Sequence, residues 1–233
     1  MNQNLLFLDT ETTGRENARL IQLAYKKQGD ENVFVEYYKP PIPIEIEAMV
    51  VHHITEKKVA NAPIFQTSAA FKTLQNVLPE AILVAHNAKF DIGILETEGL
   101  SVPRHICTYK IAQTMYDYPM YKMQYLRYLW SIENDEATAH DAEGDVIILE
   151  KVFEHMAEEY AATHNLSKSE TIEAFVKISE NPILLKKMNF GKYVGKTFAE
   201  VKMIDPSYFQ WLATLKDKEE DFLYTMEYYA KNN

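Results

Sequence analysis

Leu5-Leu6-Phe7-Leu8-Asp9-Thr10-Glu11-Thr12-Thr13-Gly14 is the stretch on which the reading of this chain turns. Four consecutive apolar residues bounded by polar ones predict a short buried strand. If the strand runs on to Glu11, Asp9 and Glu11 stand two residues apart and project from the same face of the sheet. Two carboxylates aimed together from the end of a hydrophobic strand are unfavourable unless positive charge lies between them. A divalent cation of the hard, oxygen-liganded class suits such a pair. By itself, an Asp-x-Glu is more often a solvated strand end.

Working outward, residues 19–27 alternate, with Ile21, Leu23 and Tyr25 on one face. After a Gly29-Asp30 turn, Val33, Val35 and Tyr37 repeat the pattern, which predicts an antiparallel meander. Pro40, Pro41 and Pro43 break the sheet. Helical spacing of Phe65, Phe71, Leu74 and Leu78 predicts a helix over 63–78, followed by a strand over Ala81 to Ala85 and a helix over 88–98. Ile106 marks a last short strand before helices near 109–116, 123–131 and 142–160. Strands giving way to alternating strand and helix predict an α/β fold, a mixed sheet covered by helices.

Two further segments carry acids. In Val84-Ala85-His86-Asn87-Ala88-Lys89-Phe90-Asp91 a strand gives way to a helix, with Asn87 the expected N-cap and Asp91 about one turn in. Asp91 would lie near the carboxyl end of a strand, where open α/β sheets gather ligands. Favourable charge at a helix N-terminus explains it equally well alone. In His140-Asp141-Ala142-Glu143-Gly144-Asp145, Asp141 is the expected N-cap, leaving His140 in the preceding loop and Asp145 one turn inside the helix. Taken singly, His140 reads as a surface histidine and Asp145 as an exposed acid.

The chain has 233 residues, 47% of them hydrophobic and 25% charged, which fits a globular protein of one substantial domain with a small appendage. The Leu5–Leu8 run is too short to span a membrane and no basic region precedes it, so neither membrane insertion nor a signal peptide is expected. The single cysteine, Cys107, excludes an intramolecular disulfide and a cysteine-rich zinc site; the cytoplasm is the expected compartment. A net charge of −10 argues against tight coating of nucleic acid by phosphate contacts, but not against cation-dependent chemistry on it.

Strand-borne Asp-x-Glu, then Asn-x-x-Phe-Asp, then His-x-x-x-x-Asp, in that order, resembles the DEDDh family of 3′–5′ exonucleases. The resemblance runs from about Leu5 to Ala157. It extends to Val51-His52-His53-Ile54-Thr55, similar to the Val-His-Gly-Ile-Thr motif of the polymerase-linked branch, with His53 where Gly is usual. It implies a ribonuclease-H-like fold and two cations, Mg²⁺ or Mn²⁺, about 4 Å apart. Asp9, Glu11, Asp91 and Asp145 would be their ligands and His140 the general base. It also implies that Thr10, Thr12, Thr13, Ile54, Asn87 and Phe90 contact the terminal nucleotide, although core packing is as good an account of Phe90. An ordinary turn residue is the favoured account of His52.

The implied activity is release of nucleoside 5′-monophosphates from a 3′ end, with DNA favoured over RNA. An RNA-trimming enzyme and a polymerase-associated subunit with little activity of its own are the alternatives. Residues 1–160 are expected to form the exonuclease domain, 161–182 a helical linker, and 183–233 a module resembling the C-terminal part of exodeoxyribonuclease X-like proteins. That module carries Phe190-Gly191-Lys192-Tyr193-Val194-Gly195-Lys196-Thr197 and Asp205-Pro206-Ser207-Tyr208. Its glycines predict a turn-rich hairpin, and Pro206 the first position of a helix. Tyr193, Tyr208 and Trp211 form either its core or a strip that holds a nucleic-acid strand. Tyr116-Asp117-Tyr118-Pro119 and the acids near Glu219 read as partner surfaces or solvent faces.

Overall fold

The computed structural model describes residues 4–132 and 142–231. Its opening apolar run continues through the acidic pair as β1 (Leu5–Thr12), with Leu5 to Leu8 fully buried. β2 (Leu20–Lys27) pairs antiparallel with β1, and β3 (Phe34–Tyr37) antiparallel with β2, giving the expected meander. Two short helices that periodicity does not announce follow, α1 (Ile46–His52) and α2 (Glu56–Val59). The predicted helix over 63–78 divides into a 3-10 turn at Phe65–Thr67 and α3 (Ala69–Val77), because Ser68 stops the first and caps the second, accepting from the Phe71 N–H at 3.1 Å.

β4 (Ile82–Ala85) then lies parallel to β1. After α4 (Lys89–Thr97), β5 (His105–Cys107) lies parallel to β4. The sheet order is β3-β2-β1-β4-β5. Next come α5 (Thr108–Met115), α6 (Met123–Leu129), α7 (Ala142–His164) and α8 (Lys168–Glu180).

Alternation along β1 decides which helices cover which face. Leu6 and Leu8 pack with Leu74 of α3 and Leu95 of α4. Leu5 and Phe7 pack with α5, α7 and α8, and Phe7 meets Phe153 edge to face at 5.5 Å. Asp9 and Glu11 continue the Phe7 face, so the acids emerge beside α7. Lys26 on β2 and Glu150 on α7, both largely buried, pair at 2.6 Å and fix that helix against the meander. On the opposite face, Glu98 is bound by Arg19 through two 2.8 Å bonds and by the Leu20 N–H at 3.1 Å.

Residues 161–182, expected as a linker, are helical but do more than connect. Ile172, Phe175 and Val176 of α8 belong to the main core, and the buried Ser179 hydroxyl accepts from the Cys107 N–H at 2.8 Å.

The remaining chain folds as α9 (Phe198–Ile204), α10 (Pro206–Thr214) and α11 (Glu220–Lys231). The expected hairpin is reduced to one antiparallel bridge, Lys187 with Thr197, closed by a turn in which Gly191 and Gly195 take positive φ. Pro206 opens α10 as predicted, with Asp205 as its cap. The cluster under these helices is built from residues such as Leu185, Met188, Phe198, Phe209, Leu212 and Phe222. Tyr193 and Tyr208 pack at its rim, while Trp211 is half exposed.

Tyr116 and Asp117 turn out to face this module: Lys187 pairs with Asp117 at 2.8 Å, and Lys186 donates to the carbonyls of Thr114 and Tyr116. No helix among the described residues is long and apolar enough to cross a membrane.

Candidate active site

Three segments bring acids to one end of the sheet. Asp9 and Glu11 come from β1, opposite Ala24 and Gln22 of β2, and the ladder shifts register between Glu11 and Thr12. Such an irregularity re-aims the last side chains of a strand. Asp91, in the first turn of α4, is 3% exposed and is tied to β1: Thr10 donates to its Oδ1 from its N–H at 3.1 Å and from its hydroxyl at 2.7 Å. Asp145, in the first turn of α7, is also buried, and the Gln124 amide of α6 donates to it at 2.9 Å. His140 and Asp141, expected as general base and N-cap, lie outside the described residues.

Burial and neighbouring acids act on Asp9 and Glu11 in the same direction. Burial, then Asp91, Glu11 and Asp145 in that order, hold the Asp9 carboxyl well above the usual carboxylate range. Burial, followed by Asp145 and Asp91, pushes Glu11 up to about 8. Burial also raises Asp91 to about 7, against the opposing pull of the Thr10 hydrogen bonds. Buried carboxylates that repel one another fit hard divalent cations, which take oxygen ligands. Among the described residues, no three such side chains are already drawn into a ready-made coordination sphere.

The substrate contacts implied by the sequence divide. Asn87 and Phe90 are exposed beside Asp91 and free to meet a ligand; Phe90, 37% exposed, is not a core residue. Asn87 is not the N-cap. Ala88 holds that position without a side-chain bond, and Asn87 takes φ +67° in the turn before it. Asparagine tolerates this left-handed backbone better than most residues.

Thr10, Thr12 and Thr13 are buried, and their hydroxyls are bonded within the protein. Thr10 serves Asp91, Thr12 donates to the Gly14 carbonyl at 2.7 Å, and Thr13 accepts from the Arg19 N–H at 3.0 Å. Ile54, 2% exposed, is packed with Ile21, Ile44 and Val59.

Sequence reasoning missed two supports. His52 is buried; its Nδ1 accepts from the Ile54 N–H at 2.9 Å, which leaves Nε2 to donate to the Thr12 carbonyl at 3.2 Å. Burial holds its pKa below the usual histidine value, so it braces the end of β1 as a neutral imidazole. His53 replaces the usual glycine at the cost of a left-handed conformation, φ +58°, which ends α1. Gln124, the donor to Asp145, has no local signal, being 21 residues away.

Comparison with known proteins agrees with this arrangement. The family model described as Exonuclease matches residues 6–153, and that described as Exodeoxyribonuclease X-like C-terminal matches 188–214. Exodeoxyribonuclease 10 of Escherichia coli (strain K12) is 27% identical, over 98% of this chain and 99% of its own. DNA polymerase III subunit epsilon of Buchnera aphidicola subsp. Acyrthosiphon pisum (strain APS) is 30% identical, over 91% and 95%. The solved structure described as Exonuclease X in complex with 5′ overhanging duplex DNA shares the fold, with TM-score 0.56 and 24% identity over 75% of this chain and 99% of that one. With a family model spanning well over half its length, this chain belongs to the DEDDh 3′–5′ exonucleases and bears an exodeoxyribonuclease X-like C-terminal region.

Proposed function

We propose that this 3′–5′ exonuclease acts on DNA, releasing nucleoside 5′-monophosphates at a site formed by Asp9, Glu11, Asp91 and Asp145 with His140 as general base. The observation that carries the reading is the set of four acids that three separated segments bring to one end of the sheet, where burial and mutual repulsion hold Asp9 and Glu11 above the usual carboxylate range. Two divalent cations, Mg²⁺ or Mn²⁺, held by these carboxylates would neutralise the scissile phosphate and favour hydroxide over water.

The chain's own groups supply the rest. Thr10 and Gln124 hold Asp91 and Asp145 in position, and His52 fixes the backbone at Thr12. Asn87 and Phe90 receive the terminal nucleotide on the exposed β4–α4 turn. His140 takes a proton from the attacking water, a task for which an imidazole of ordinary pKa near 6.5 is suited. DNA is favoured over RNA because the full-length relatives are named for DNA work, and the epsilon likeness makes polymerase association part of the proposal.

End-labelled DNA and RNA oligonucleotides, incubated with and without a chelator, test the reading. A ladder shortening from the 3′ end of DNA, abolished by chelator, is expected; metal-independent cutting would overturn it, and faster RNA cutting would overturn the substrate assignment. His140→Ala is expected to lose about 10²–10⁴-fold in turnover while calorimetric Mn²⁺ binding persists, whereas Asp145→Ala should impair that binding.

A further inference from the structure

A side-chain amide has a donor end and an acceptor end of nearly the same shape, so either can face a neighbour unless charge chooses between them. An ionised carboxylate only accepts and a guanidinium only donates. Gln124 of α6 stands between one of each. Its Nε2 donates to Asp145 Oδ1 at 2.9 Å, and its Oε1 accepts from Arg127 Nη1 at 3.4 Å. Turning the amide over would set oxygen against carboxylate and NH₂ against guanidinium, replacing two attractions with two repulsions.

Arg127 is itself held in place. It follows Gln124 by three residues on α6, so the two side chains lie on one side of that helix. The helix ends in a left-handed reversal at Ser131, φ +51°, whose N–H bonds the Tyr128 carbonyl at 3.2 Å while the Ile132 N–H bonds the Arg127 carbonyl at 2.9 Å. The reversal brings the Ile132 carbonyl within 3.4 Å of Arg127 Nε, and the guanidinium carbon lies 5.5 Å from the centre of the Tyr128 ring. Gln124 and Arg127 are half-buried and Asp145 is buried, so this charge is screened less than it would be at an open surface.

We propose that Arg127 and Gln124 are positioning residues for the cation-binding carboxylates: the guanidinium fixes which end of the amide faces Asp145, and the amide aims that carboxylate. The inference rests on the nuclease reading for the role of Asp145. A neutral donor favours the ionised carboxylate without the full positive charge that would compete with a divalent cation for it. The arginine thus acts at one remove, through a group that can donate to the acid only while the arginine holds its other end.

Calorimetric titration of Mn²⁺ into the full chain reads the effect without turnover. Gln124→Met keeps the length and volume of the side chain and removes the donor. It should weaken Mn²⁺ binding about tenfold, as loss of a hydrogen-bonding partner of a metal ligand does. Arg127→Met should cost less, about threefold, and should add nothing in the Gln124→Met background, because its effect passes through the amide. Misfolding cannot imitate that result, since a misfolded double variant would bind worst of all. Unchanged or tighter binding in Gln124→Met would sink the proposal. So would additive losses in the double variant, which would make Arg127 a support of the α6 end alone.

A second measurement needs no metal. In the chelated protein, the Gln124 side-chain NH₂ signals in ¹⁵N–¹H spectra should exchange with solvent about tenfold faster once Arg127 is methionine; equal rates would remove the orienting role of the arginine. Asp145→Ala separates this proposal from the reading beneath it. If that variant loses Mn²⁺ while Gln124→Met does not, the carboxylate site stands and the positioning role falls. If Asp145→Ala and the unaltered chain bind Mn²⁺ alike, both fall.

Discussion

Thr10 spends both its N–H and its hydroxyl on one oxygen of Asp91, and that choice shapes the site more than any substrate contact it was expected to make. Thr10→Val keeps the shape and the N–H bond but removes the hydroxyl that favours the Asp91 carboxylate. Its cost should be about 1–2 kcal/mol, read as weaker Mn²⁺ binding and an acid limb of kcat/KM displaced to higher pH.

Burial and mutual repulsion also make the metal-free protein sensitive to pH. Glu11 and Asp91 sit near 8 and 7 in the fold, against an ordinary carboxylate value of about 4 in the unfolded chain. The folded state therefore holds more protons between those values, and stability falls as pH rises from about 4 to 8. Melting of the chelated protein should drop across that window, and added Mn²⁺ should reverse the trend most at its alkaline end.

Gln22, opposite Glu11 and 2% exposed, leaves its Nε2 without a partner among the described residues. Gln22→Leu should leave stability unchanged or raise it by about 1–3 kcal/mol, in a thermal melt without metal. At this scale the sequence disclosed which acids matter, through their order and spacing. It did not disclose which hydroxyls turn inward, because a threonine beside an acid and a threonine beside a nucleotide look alike on paper.

Among the elements, the long periodic ones were legible and the short ones were not. The alternation in β2 and β3 gave the meander, and the apolar run at β4 gave the parallel partner of β1. α1 and α2 were hidden because neither has a side-chain cap or enough turns to display a period. Asn87 misled because the residue types that cap helices also tolerate a left-handed turn.

α8 was legible in principle. Ile172, Phe175, Val176 and Ser179 fall at helical spacing within a polar segment, and they are its buried face. Phe175, fully buried against Phe153 and Tyr160, is therefore a core residue of the nuclease. Phe175→Ala should cost about 3–5 kcal/mol in chemical denaturation; a negligible loss would return the segment to the status of a spacer.

For the molecule as a whole, a net charge of −10 must coexist with a polyanionic ligand. Three lysines of the C-terminal region are already engaged within the protein, Lys186, Lys187 and Lys192 serving Tyr116, Asp117 and Asp205. Each contact to a single strand contributes about 0.7 to the slope of log K against log salt. A shallow slope is expected, about 2, and a much steeper one would mean that a larger basic surface has gone unnoticed.

Those committed lysines have a consequence of their own. Lys186 reaches from the C-terminal region to the carbonyls ending α5, while Lys110 of α5 reaches back to the carbonyls of Ser179 and Asn181 that end α8. The C-terminal region thus closes off one helix of the nuclease, and the nuclease closes off the last helix before the junction itself, like a hem sewn from both sides of the cloth. Heating should give one calorimetric peak for the entire chain, and a protease should find no early nick between the halves.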